Sequence, residues 1–174
     1  MKPKAFTLIE TLIAITLMTV VITAVTGLIL TTLMANSRNR HDLQATLLAQ
    51  EGLEAMRYMR DSNWLQNYDW DGGSPLWGNT FEPGSTGKVV YLKSTACIST
   101  LSSHPCFELS TLPGDGTVTM EDGMVYGRSL TLKAVTDADG NPNANESAVT
   151  ATVSWDEHGI DRSLQLSTYL TNWK

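Results

Sequence analysis

The sequence predicts an α+β fold: a long N-terminal α-helix, with a transmembrane first half, packed on a C-terminal antiparallel β-sheet. Two observations predict it. Residues 6–34 are almost entirely apolar or threonine and contain a single charged residue, Glu10. The last third of the chain instead alternates apolar and polar residues with period two, which is typical of strands with one buried face.

The composition divides into two unlike parts. The 174 residues carry a net charge of -6, and nearly all charges lie at or beyond Arg38. The acidic excess argues against a general nucleic-acid-binding protein, because phosphate binding requires a surplus of Lys and Arg on some face. The polar part is long enough to bury a core of its own.

The N-terminal apolar segment is long enough to cross a membrane. The uncharged run from Thr11 to Ser37 would be about 40 Å long as a helix, against about 30 Å for a hydrocarbon core. A cleaved secretory signal has a shorter apolar stretch, of about 7–15 residues. Lys2 and Lys4 predict a cytoplasmic N-terminus by the positive-inside rule, which places the residues after Arg38 outside.

Glu10 is the exception in this segment. An ionisable group in an apolar helix is costly, and its presence indicates a functional role with a nearby cation as partner. An alternative is that Lys2 and Lys4 supply that partner within the same chain, by extending along the helix.

The N-terminal residues resemble a known family. Lys-Pro-Lys-Ala-Phe-Thr-Leu-Ile-Glu-Thr-Leu-Ile-Ala, at residues 2–14, is similar to the signature of type IV pilins and secretion-system pseudopilins. The resemblance implies that a membrane prepilin peptidase cleaves between Ala5 and Phe6 and methylates the new amino group of Phe6. It also implies that Glu10 neutralises the N-terminal ammonium of a neighbouring subunit, since two buried charges that pair offset each other's desolvation.

Two positions depart from the family pattern. Ala5 stands where Gly is usual, so a small residue is kept and cleavage remains expected. Gly27 stands near the place of a helix-breaking Pro in many pilins; Gly costs about 1 kcal/mol relative to Ala in a helix, which makes local flexibility plausible without requiring it.

The resemblance also implies how the chain is divided. Residues 1–5 would be a leader, 6–34 a transmembrane and assembly helix, 35–62 an amphipathic helix entering the head, and 63–174 an extracellular β-rich head domain. The amphipathic part carries an apolar stripe for a sheet to cover, at spacings of three and four. The stripe consists of Ala45, Leu48, Gly52, Met56 and Met59, widened by Ala49 and Leu53. The helix is expected to run from Phe6 to about Asp61.

After the helix, residues 62–87 have the composition of turns with interleaved aromatics. Trp64, Trp70 and Trp77 could stack on sugars or another extracellular ligand, or pack over the helix and sheet. Strands are then predicted by alternation, with the last three as an antiparallel meander. Their expected ranges are Val89–Leu92, Phe107–Leu112, Met124–Val135, Ser147–Trp155 and Ser163–Thr171.

Cys97 and Cys106 are the only cysteines. Outside the cell they are expected to form a disulfide that closes a loop of about ten residues, worth roughly 2.5–3 kcal/mol in the chain-entropy model. Free thiols are an alternative. A zinc site with His104 would lack a fourth ligand at suitable spacing.

The segment from Asp137 to Glu146 places oxygen-bearing side chains at alternate positions. Asp137, Asp139 and Asn141 are therefore weak calcium candidates, because calcium binds six to eight oxygens. Pro142 stands where an EF-hand loop needs Gly, so a solvated hairpin loop is the favoured interpretation.

These patterns predict a structural protein without a cofactor. The sequence contains no phosphate-binding Gly loop, zinc-protease motif or nucleophile elbow, and no nucleic-acid site is evident. The resemblance implies a single-pass membrane protein that becomes part of an extracellular filament. Its implied partners are other pilin subunits, the prepilin peptidase, the inner-membrane assembly platform and the membrane. There are two alternatives: a secretion pseudopilin, and a tethered extracellular binding module that does not polymerise.

Overall fold

The computed structural model describes residues 7–71, 87–94, 107–137 and 139–172. These form one helix and six strands, with a short 3-10 turn at Pro113–Gly116 before β3. The elements are α1 (Leu8–Leu65), β1 (Lys88–Ser94), β2 (Phe107–Ser110), β3 (Thr117–Thr119), β4 (Val125–Thr136), β5 (Pro142–Glu157) and β6 (Ile160–Thr171). The predicted α+β class is confirmed. The chain divides into two compact units between Asp42 and Leu43.

All six strands form one antiparallel sheet in the second unit. The strand order is β2-β1-β4-β5-β6, and the short β3 pairs with β4 on the same edge as β1. The long hairpins β4–β5 and β5–β6 form the largest part of the sheet, with β6 at its edge, and they are the antiparallel meander that was predicted.

The helix continues further than predicted. It ends at Leu65 after 58 residues, four residues beyond the expected end near Asp61. Trp64 consequently lies on the helix and not in the following turns. Asn67 then adopts a left-handed backbone with φ of 61°, and the Tyr68 amide donates to the Asn63 carbonyl, which turns the chain out of the helix.

The two long hairpins differ in their turns. His158 and Gly159 both have positive φ, 57° and 82°, so they form a two-residue turn closed by the Glu157–Ile160 pair. The β4–β5 connection is shorter than the predicted hairpin loop, because β5 already begins at Pro142.

The core of the second unit lies between the sheet and the helix stripe. All seven predicted stripe residues are buried, and Ala55 joins them. The sheet contributes the inward-facing residues of its four longest strands together with Leu109 of β2. These sheet residues are Val90, Leu92, Leu109, Tyr126, Leu130, Leu132, Val149, Ala151, Val153, Trp155 and Leu170.

The segment before β4 was not predicted as structured. Its 3-10 turn brings Gly116 against the sheet, where an added Cβ would lie 2.1 Å from the Arg128 carbonyl oxygen and 2.9 Å from Tyr91 Cδ1. Only Gly fits this close approach, and β3 then pairs three residues with β4.

Candidate functional site

The first unit consists of the N-terminal part of α1. Every residue from Thr7 to Arg40 is exposed, although most are apolar; Leu28, for example, is 68% exposed. Among the described residues, this is one helix long and apolar enough to cross a membrane by length and composition. A membrane or the apolar helices of other chains would remove this surface from water.

The threonines of this helix satisfy their own hydroxyls. Each donates to a backbone carbonyl three or four residues earlier, at 2.8–3.2 Å, so no hydroxyl needs a partner outside the helix. The segment can therefore enter an apolar environment despite its polar residues. The donors are Thr11, Thr16, Thr19, Thr23, Thr26, Thr31 and Thr32.

Glu10 lies in the first turn of α1 and is exposed. The Thr7 carbonyl, just before the helix, accepts hydrogen bonds from the amides of Glu10 at 3.0 Å and Thr11 at 3.3 Å. A carboxylate here interacts favourably with the positive end of the helix dipole. It is also the only charge among residues 7–37.

Thr7 and Glu10 have the spacing of a capping box, a local motif at the start of a helix. In that motif the Glu side chain reaches back to the backbone amide of the residue that precedes the helix. A local capping role for Glu10 is thus an alternative to a role between subunits. An experiment on Glu10 must separate the carboxylate's charge from its ability to accept this hydrogen bond.

The remaining predicted N-terminal sites are placed as follows. Gly27 lies inside continuous helix, and the Thr31 hydroxyl donates to its carbonyl at 3.2 Å. Nothing lies within 4 Å of where its Cβ would be. Ala5 and Phe6, the expected cleavage site, lie outside the described residues.

In the second unit, a buried arginine joins the helix to the sheet. Arg128 on β4 is 1% exposed, and its Nη1 donates to Glu51 Oε2 at 2.9 Å and to the Leu48 carbonyl at 3.4 Å. Its Nε has no hydrogen-bond partner. The sequence signal was present, because period two places Arg128 on the same face as Leu130 and Leu132, but a charge on that face was not considered.

Two further hydrogen bonds connect the same elements. Tyr126 donates its hydroxyl to Gln44 Oε1 at 2.8 Å, and Arg57 Nη2 donates to Thr168 Oγ1 at 3.0 Å. Arg57 also pairs with Glu54 on the helix surface. These contacts fix how the helix lies along the sheet, from one end of its buried stripe to the other.

The tryptophans that the structure describes favour packing over ligand stacking. Trp70 is 6% exposed and belongs to the core, and Asn63 Nδ2 donates to its carbonyl at 3.4 Å. Trp64 is partly buried against the same core. Trp77 lies outside the described residues, as do Cys97, Cys106 and His104.

The calcium candidates lie in the β4–β5 loop. Asp137 Oδ1 accepts hydrogen bonds from the amides of Asp139 at 3.0 Å and Asn141 at 2.8 Å, so this carboxylate closes the loop on itself. Within the described ranges, no group of three or more His, Cys, Asp or Glu residues could hold a metal ion. Asp137 and residues 139–141 lie between β4 and β5, as the hairpin-loop interpretation expects, whereas Pro142–Glu146 belong to β5.

Comparison with known proteins gives one result, at the N-terminus. Residues 1–26 match the family model described as the prokaryotic N-terminal methylation motif. No curated protein and no solved structure matches the chain. The match covers Glu10 and most of the exposed apolar helix, and together they support a type IV pilin-like or pseudopilin-like precursor. The chain carries at its N-terminus the signature of the type IV pilin family.

Proposed function

We propose that this protein is a structural subunit of a type IV pilus-like filament, processed by a prepilin peptidase and polymerised through its N-terminal helix. The observation that carries the proposal is the exposed apolar helix with one carboxylate, Glu10, in its first turn, inside the matched motif. Packing such helices together would remove their apolar surface from water.

In this proposal the peptidase cleaves between Ala5 and Phe6 and methylates Phe6. The new ammonium at Phe6 would be only four residues from Glu10 in the same chain. In the filament, the Glu10 carboxylate pairs with the ammonium of a neighbouring subunit and so sets the axial register. Leaving either charge unpaired in an apolar environment would cost about 3–5 kcal/mol, which makes other registers unfavourable.

The remaining assignments follow from the same mechanism. Before assembly the chain spans the inner membrane once, with residues 1–5 in the cytoplasm and the head from residue 63 outside. Its partners are other pilin subunits, the peptidase and the assembly platform. Gly27 would allow local unwinding of the helix, and Cys97 with Cys106 would close a disulfide loop in the oxidising exterior.

Mass spectrometry of the N-terminus tests the processing step. The chain isolated from cells with an active prepilin peptidase is expected to begin at methylated Phe6, and the chain from a strain lacking the peptidase at Met1. A chain that keeps Met1 in both strains would contradict the proposal and favour a permanent membrane tether. Electron microscopy of a strain lacking this protein would then separate a major subunit, without which filaments are lost, from a minor one.

A further inference from the structure

The sheet has one long edge with no neighbour among the described residues. β6 runs over 12 residues and pairs only with β5, through 12 consecutive residue pairs without a bulge. Proteins usually protect such edges with Pro, Lys, a bulge or a short strand. β6 has none of these, and from Ser163 to Thr171 it contains no charge. The opposite edge strand, β2, has only four residues.

The turn determines which backbone groups of β6 face the free edge. Its i to i+3 hydrogen bond directs the Ile160 amide toward β5, and the direction then alternates along the strand. The amides and carbonyls that point outward therefore belong to the odd-numbered residues, which between Asp161 and Tyr169 are Asp161, Ser163, Gln165, Ser167 and Tyr169.

The sequence of this edge is self-complementary in the antiparallel direction. Ser163-Leu164-Gln165-Leu166-Ser167 reads the same in both directions. If two copies pair antiparallel about a twofold axis at Gln165, the numbers of two facing residues always add to twice 165. An odd-numbered residue of one copy therefore faces an odd-numbered residue of the other copy, and the backbone groups of both point toward each other. Gln165 then faces Gln165 of the second copy, and Ser163 faces its Ser167.

The side chains fit the same arrangement. Leu164 and Leu166 are only partly buried on the helix side of the sheet. In the dimer, Leu164 of one copy would lie opposite Leu166 of the other copy, across the new contact between the two β6 strands. Apolar and matched polar cross-strand pairs each contribute about 0.2–1 kcal/mol. Five residues per copy would exchange both backbone hydrogen bonds, and the contact closes as a dimer because it is isologous.

We infer that β6 pairs with β6 of a second copy of this chain, antiparallel and centred on Gln165, to form one continuous sheet. The twofold axis is perpendicular to the sheet, so it reverses the direction of the helix segment packed on that sheet. The two copies consequently point in opposite directions. In the proposed polar filament the contact cannot join neighbouring subunits, but it can join two filaments that lie antiparallel. The dimer itself does not depend on the proposed function.

A charge exchange at position 165 tests the inference with the full chain in a nonionic detergent at low ionic strength. Sedimentation should show a concentration-dependent dimer of the unmodified chain. Gln165→Lys and Gln165→Glu should each weaken dimerisation at least tenfold, since like charges would meet on the axis. An equimolar mixture of the two variants should restore the dimer, which also establishes that both variants are folded.

Thr152→Lys is the matched control. Thr152 is the β5 partner of Gln165, one strand in from the edge, and this variant should dimerise like the unmodified chain. A monomeric unmodified chain would overturn the inference. So would dimers that Gln165→Lys leaves intact, which would then form through another surface such as the apolar helix. Single variants that are both monomeric, with no recovery on mixing, would exclude the twofold at Gln165.

Discussion

The two halves of α1 have similar apolar content but different surroundings. Before Asp42, apolar side chains are exposed all round the helix, and Leu28 is 68% exposed. After Leu43, the apolar residues are confined largely to one stripe that the sheet covers, and Leu48 is 5% exposed. The sheet supplies the apolar environment for the second half within the same chain. For the first half that environment has to come from outside, which the proposed function assigns to the membrane and then to other subunits.

Charge is distributed to match this difference. The first half has one charge before Arg38, at the helix start. The second half has charges on its exposed side, and its buried side contacts one charged residue of the sheet, Arg128. Hydrogen bonds from Arg128 to Glu51 and to the Leu48 carbonyl offset the desolvation of this buried guanidinium.

The largest effect on stability should come from truncating a leucine in the second half. Leu48→Ala removes a nearly buried side chain and should lower the free energy of unfolding of the sheet-bearing unit by about 3 kcal/mol. Leu28→Ala is the matched control and should change it by less than about 0.5 kcal/mol, because Leu28 belongs to the first unit and is exposed. Denaturant unfolding of the full chain in detergent, followed by tryptophan fluorescence, measures both. Equal losses in the two variants would contradict the division of the helix.

Position 128 should tolerate a long apolar side chain better than a small one. Arg128→Ala leaves a cavity against Gly52 and Leu130 and should cost about 2–3 kcal/mol. Arg128→Met fills much of that volume and frees the half-exposed Glu51 to be hydrated, so stability should remain within about 1 kcal/mol of the unmodified chain. The same unfolding measurement applies. An equally large loss with Met and with Ala would contradict this prediction and would indicate that the charge, and not the volume of the side chain, stabilises the contact between helix and sheet.

The smallest effect is expected at the β5–β6 turn. His158 has φ of 57°, which Asn adopts more readily than His. His158→Asn should stabilise the unit by about 0.5 kcal/mol, whereas His158→Val should destabilise it by at least about 1 kcal/mol because a β-branched side chain is strained there. Thermal unfolding of the two variants in parallel measures this, and stabilisation by Val would contradict the turn assignment.

Much of this fold could be predicted from periodicity. The stripe from Ala45 to Met59 and the three long strands were found because each buries one regular face, which imposes spacings of three and four or of two. The family resemblance located Glu10 and the expected cleavage site, and the match of residues 1–26 confirms the signature that carries them.

What periodicity could not predict depends on tertiary contacts. β3 and the Pro113–Gly116 turn are too short to show a period, and the turn is held by the close approach of Gly116 to β4. The helix extends to Leu65, where Asn63 donates to the Trp70 carbonyl and Trp64 packs against the core, and no local propensity indicates these contacts. Arg128 was missed because its partner, Glu51, is distant in sequence and the alternation was interpreted as apolar.

The most direct test of the central claim is the charge of Glu10, compared with a carboxylate in the second half. Gln fits the same capping box as Glu, so Glu10→Gln keeps the ability to accept a hydrogen bond from the helix start and removes only the charge. Glu54→Gln is the matched control, on an exposed surface of the same helix. Electron microscopy should count surface filaments, with immunoblots confirming equal amounts of processed chain. We predict that Glu10→Gln abolishes incorporation of the chain into filaments while Glu54→Gln leaves it within about twofold of the unmodified chain. Normal incorporation of the Glu10→Gln chain would contradict the account.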